Sequence, residues 1–130
     1  MAFKPYQSDI MSTTPFVYLP TTAEEVYVAG EVVKLASGAI TKASGTDVPT
    51  YLVQEAATGA AGKKIAVYRI PSTMVFEVPL AAAGTALNIG DKVTIHTTGT
   101  DVTATTTGGV FEIVDINGTA VGDTVCVRLG

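Results

Sequence analysis

The chain has 130 residues, 47% hydrophobic and 15% charged, with a formal net charge of −4, one Cys, one His and no Trp. That length suits one domain able to bury a core without staples, and a single Cys126 excludes an intramolecular disulfide framework or a cysteine zinc site. The acidic balance argues against a general electrostatic grip on nucleic acid, and the scarcity of acids, bases and nucleophiles argues against an enzyme.

Residues 1–24 differ from the rest. Pro5, Pro15 and Pro20 break any helix, while Phe3, Tyr6, Ile10, Met11, Phe16 and Tyr18 stand isolated among small polar residues. This pattern predicts an extended N-terminal arm lying on a surface, removable without unfolding a single all-β domain at 25–130. Residues 21–25 (Thr-Thr-Ala-Glu-Glu) could imitate a capping box, but no helical period follows them.

From Glu25 onward the apolar period is two. Val26-Tyr27-Val28 leads through Gly30 into residues 31–35. Ala36-Ser37-Gly38 then predicts a three-residue hairpin loop into residues 39–42. Residues 50–55 form the next predicted strand, and the small residues 56–62 a loop. Strands are expected at 64–70 and 74–79, parted by Pro71-Ser72, and residues 81–83 could make one helical turn. Across residues 92–97, Val93 and Ile95 point inward, with Lys92, Thr94 and His96 outward. The Thr/Gly stretch 97–109 predicts a long exposed hairpin. Residues 110–116, an Asn117-Gly118 turn and residues 124–129 close the chain. Short, evenly spaced strands of this kind predict an all-β fold, a small barrel or β-tulip-like sandwich with its extended arm.

Few residues invite chemistry. Gly59-Ala60-Ala61-Gly62-Lys63-Lys64 glances at a phosphate loop but has Ala57 where the first Gly should stand and Lys64 in place of Ser or Thr. His96 has no second His or Cys beside it, so no metal site is expected. Cys126 shares a face with Arg128 while Val125, Val127 and Leu129 take the other. That places Cys126, Arg128 and the strand residue Glu77 as candidates for an oligomer interface, with Lys64 or Arg69 as possible partners of Glu77. No calcium loop appears, and no cofactor is expected. No targeting segment is read at the N-terminus, and no apolar run approaches the length that crosses a bilayer, so no membrane association is expected. A mean hydropathy of +0.38 with so little charge predicts self-association or docking onto a larger body.

The order of pieces resembles a known group. The arm runs into Gly30-Glu31-Val32-Val33-Lys34-Leu35, then Gly38-Ala39-Ile40-Thr41-Lys42-Ala43, Tyr51-Leu52-Val53-Gln54-Glu55-Ala56-Ala57, Lys64-Ile65-Ala66-Val67-Tyr68-Arg69 and Val75-Phe76-Glu77-Val78. Gly90-Asp91-Lys92-Val93-Thr94-Ile95 and Gly122-Asp123-Thr124-Val125 follow. This resembles the head decoration (capsid cement) proteins of tailed bacteriophages, lambda-type or related. The resemblance implies a protein made in the host cytoplasm that binds the major capsid protein on the exterior of the expanded capsid, as a homo-oligomer with a trimer favoured. Carried onto this chain, the arm residues that would contact the capsid are Phe3, Tyr6, Ile10, Phe16 and Tyr18. Two other readings remain open: another virion structural part (tail, connector or fibre-base domain), or a carbohydrate- or ligand-binding β-module.

Overall fold

The computed structural model describes residues 3–7 and 16–130, and its elements are strands. In chain order they are β1 (Lys4–Gln7), β2 (Phe16–Pro20), β3 (Val26–Tyr27), β4 (Val32–Ala36), β5 (Ala39–Lys42), β6 (Tyr51–Val53), β7 (Ala57–Thr58), β8 (Lys64–Arg69), β9 (Val75–Pro79), β10 (Lys92–Val93), β11 (Phe111–Ile116) and β12 (Thr124–Leu129). They form a front sheet in the order β1-β9-β12-β11-β10, a back sheet β2-β8-β6-β4-β5, and a ribbon β3-β7. All named pairings are antiparallel. The back sheet curls until its outer strands touch at one parallel bridge, Thr21 with Ile40, without closing into a barrel. The fold is therefore an all-β sandwich.

Period-two alternation sorts the side chains into two cores. Phe76 and Val78 of β9, Phe111 and Ile113 of β11, and Val125 and Val127 of β12 fill the space between the sheets, meeting Val32 and Leu52 from the back sheet. The neighbours of those last two, Val33 and Val53, point the other way. With Ile65, Val67 and Ile40 they make a second core around Tyr27 of the ribbon. The back sheet is thus buried on both faces, which is why its strands read as near-continuous apolar runs. Tyr27 is wholly buried and its hydroxyl donates to the Ile40 carbonyl at 2.6 Å, satisfying the polar tip.

The N-terminal segment departs from the expected arm. β1 pairs with β9, placing Lys4 opposite Glu77 and Pro5 opposite Phe76, and β2 pairs with β8 along its whole length. Phe3 is 2% exposed and packs on Phe76 and Phe111, with ring centroids 5.7 Å and 4.9 Å away. The boundary at residue 24 therefore does not part an appendage from a domain. The physical reason is that the front core leaves room for one more aromatic ring, and that burial outweighs ordering the strand that carries it.

Local differences have local causes. The hairpin at 36–39 closes with two residues rather than three: Ala36 pairs with Ala39, and Ser37 and Gly38 both take positive φ (52° and 82°), as a type I′ turn requires. The presumed loop 56–62 contains β7. Gly59 is needed there because a Cβ would run into the Thr22 carbonyl, and its N–H bonds Glu25 O at 2.7 Å. Gly59→Ala is expected to cost about 2 kcal/mol or more, read as a shift in the urea midpoint. The Thr-rich stretch is not a free hairpin. Val102 is wholly buried and bridges both Leu80 and Ile95, and the Thr94 and Thr103 hydroxyls meet at 2.7 Å. Thr94 is correspondingly buried, not outward. Between β11 and β12 the connection spans 117–123, pinned by Asp123 Oδ2 accepting the Ala120 N–H, so Asn117-Gly118 opens a longer loop. Residues 81–83 form no helical turn.

Candidate functional site

A sandwich presents its strand edges to possible partners, and here most of them are blunted. β10 is two residues long, and β1 carries Pro5, which has no N–H to offer. β5 is sealed by side chains from the ribbon and the segment before it. The Ile40 carbonyl accepts both the Tyr27 and Thr22 hydroxyls, and the Lys42 N–H donates to Glu25 Oε2 at 2.9 Å.

β2 is different. Thr21 N–H donates to Lys63 O at 2.9 Å, which sets the alternation of the β2–β8 ladder. Leu19 and Val17 then exchange main-chain bonds with their partners Ile65 and Val67. Phe16 and Tyr18 consequently turn their main-chain N–H and C=O groups away from β8. Beyond the Thr21–Ile40 bridge, no strand among the described residues lies on that side. The Tyr18 side chain is 65% exposed and Val17 38%. Exposed Lys63 and Lys64 stand beside one end of this edge and exposed Arg69 beside the other, its guanidinium 5.7 Å from the Tyr51 ring. An open edge with apolar side chains and flanking cations can take up an extended strand that bears carboxylates.

The residues singled out from the sequence fall in different places. Tyr18 lies on this edge. Phe16 and Tyr6 lie on β2 and β1 by their backbone, Ile10 lies outside the described residues, and Phe3 is core and cannot touch a partner. Glu77 and Cys126 face each other across β9 and β12 on the outer face of the front sheet, with Arg128 two residues on. Glu77 meets Lys4 and Cys126 in the register; Lys64 and Arg69 belong to the other sheet. Arg128 is exposed and paired to Glu112 at 3.0 Å. Cys126 is 3% exposed within the chain itself, so an interface is not needed to cover it. Burial pushes its thiol up, and the Asp115 and Glu77 carboxylates add to that, which disfavours the reactive thiolate.

Two further features escaped sequence reasoning. One is an apolar hollow of about 360 Å³ at one end of the sandwich, lined by Val48, Ser72, Gly109, Val110, Leu129 and Gly130. The other is Glu31, a charged residue 1% exposed. Its place in an apolar strand, Glu-Val-Val-Lys-Leu, was a visible signal, since a burial pattern shared by Val32 and Val33 can take in the residue before them. Among the described residues no three His, Cys, Asp or Glu side chains converge as metal ligands would.

Neither protein-family models nor curated protein sequences match the chain. Among solved structures, the fold is similar to the N base of the head fiber protein gp8.5 of bacteriophage phi29. The TM-score is 0.59 at 16% identity, covering 89% of this chain and 95% of that one.

Proposed function

We propose that the chain is a non-enzymatic structural protein of a phage virion that docks on the outside of the head, as the base of a head fibre or as a decoration subunit. The similarity in fold to a head-fibre base over nearly the whole chain carries this reading. The order of sequence motifs, which resembles that of decoration proteins, agrees with it. The major capsid protein is the proposed partner, and the β2 edge around Tyr18 the proposed contact. An added strand gains main-chain hydrogen bonds there, and alternate side chains supply selectivity. Self-association as a trimer would repeat the contact, and linkage then raises the overall affinity by orders of magnitude over one weak edge.

Co-sedimentation with expanded capsids tests the reading. The wild-type protein pellets with capsids, and binding weakens as salt screens Lys63, Lys64 and Arg69. Tyr18→Asp lowers the affinity at least about tenfold while the thermal midpoint stays near wild type, since an exposed position contributes little to stability. Failure to pellet with any capsid form overturns the function. Undiminished binding of Tyr18→Asp overturns the contact. A phage lacking the protein separates the two roles: fragile heads mark a cement, whereas sound heads that have lost their fibres mark a fibre base.

A further inference from the structure

Glu31 stands immediately before β4 with its side chain shut away from water. Oε1 accepts the Val28 N–H at 3.2 Å, and Oε2 is buried without a hydrogen-bond partner. A buried carboxylate left half-satisfied is costly when ionised and far less so when protonated. Burial accordingly pushes its carboxyl up to about 7, against a smaller opposing pull from the Val28 N–H and from Lys42.

The groups around it come from several elements. Lys42 on β5 attracts the ionised form, and Glu25, just before the ribbon, repels it. Glu25 is itself occupied, accepting from the Thr41 hydroxyl at 2.7 Å and the Lys42 N–H at 2.9 Å. The Tyr27 phenol, from β3, also feels both carboxylates. The uncharged Val53 of β6 donates its N–H to the Glu31 carbonyl at 2.9 Å, and a further wall is the turn after Ile95, whose titratable residues are His96 and Asp101, joined through the His96 N–H and the Asp101 carbonyl at 2.9 Å.

That turn is the weak wall. At its tip Gly99 takes a φ of +73°, and a Cβ there would lie 2.9 Å from Lys42 Cγ and 3.0 Å from Glu31 Cγ. The Gly99 carbonyl accepts the Val32 N–H at 2.9 Å, while the Gly99 N–H and the Thr98 and Thr100 hydroxyls bond within the turn or to its flanks. β4 and β5, by contrast, are held by ladders on the body of the sheet. Where a buried charge must reach water, the single Val32–Gly99 bond is the least expensive attachment to break.

We propose that Glu31 and the 97–100 turn form a proton-operated latch: the turn stays seated on β4 while Glu31 carries its proton, and lifts when the carboxylate ionises. Lifting admits water to Oε2 and lets Glu31 and Lys42 pair in a solvated setting. The inference rests on the fold alone and stands apart from the capsid reading.

Hydrogen exchange resolved to the Val32 amide, corrected for the intrinsic effect of pH, tests it on the full chain. Protection of Val32 is expected to fall at least about tenfold between pH 5.5 and pH 8, and Glu31→Gln to hold it at the acidic level throughout. Equal protection at both pH values in the wild type, or the same fall in Glu31→Gln, overturns the latch. Should that variant fail to fold, carbon-13 titration of Glu31 in the wild type decides. A midpoint shared with the Gly99 amide shift supports the device, and separate midpoints overturn it.

Discussion

Phe3→Ala lowers the free energy of unfolding by about 3–5 kcal/mol, the range found when a buried Phe is cut back to Ala. The ring is 2% exposed and closes a triangle with Phe76 and Phe111, which themselves lie 6.2 Å apart nearly edge to face. Removing it opens a void between two rings held by three strands of one ladder, so the site has little freedom to collapse. Deleting residues 1–7 costs more, because it also strips the pairing that β1 gives β9. Urea unfolding reads both effects as a falling midpoint, with Tyr18→Ala as an exposed control from the same stretch of chain. A Phe3→Ala midpoint within error of wild type would show that the ring is dispensable and restore the picture of a detachable arm.

Glu31 gives the second large effect, and its sign is unusual for a carboxyl. The folded chain holds the proton up to about pH 7, against an ordinary value of 4.5 for the unconstrained group. Folded and unfolded states are both protonated below about pH 4.5. Between there and about pH 7 the unfolded chain ionises first, so stability falls as pH rises, by about 3 kcal/mol in all. Above that window the loss is complete and flat. Glu31→Gln removes the slope. At pH 8 the variant is expected to be more stable than wild type by about 2 kcal/mol, the full burial cost less that of an amide N–H₂ placed where Oε2 found no donor. At pH 4, where only that amide cost is left, the variant should unfold at a slightly lower urea concentration than the wild type, equivalent to about 1 kcal/mol. A variant less stable at both pH values would mean that the ionised carboxylate stabilises the fold.

The strands rich in Val, Ile and Thr, whether alternating or continuous apolar runs, were legible as sequence. β4, β5, β6, β8, β9, β11 and β12 lie within a residue or two of where Val, Ile and Thr periodicity puts them, and Val93 and Ile95 face inward as expected. What the sequence hid was decided by partners far along the chain. β1 is short, with a proline and no β-branched residue, so nothing local marks it as a strand, and the apolar run of β2 is masked by Pro15 and Pro20 at its ends. Their register comes from Val75, Phe76 and Glu77 and from residues 64–68. β7 is Ala57-Thr58, too short and small to show a period, and is fixed by Val26 and Tyr27 opposite it. Val102 sits alone among threonines, and only its bridges to Leu80 and Ile95 reveal it as core. The candidate edge was half visible: the resemblance marked Tyr18 as a contact residue, but the open main-chain groups beside it depend on how β2 meets β8 and fails to meet β5.

The placing of β9 between β1 and β12 bears on how the chain is made. Glu77 is opposite Lys4 on one side and Cys126 on the other, so the middle of the sheet is shared by stretches more than a hundred residues apart in the sequence. A ribosome must release the chain as far as β12 before that sheet can be finished, and until then Phe3 has no lid. Synthesis therefore leaves an unfinished apolar surface in a crowded cell, and nascent chains stalled before residue 124 should be conspicuous targets for chaperones.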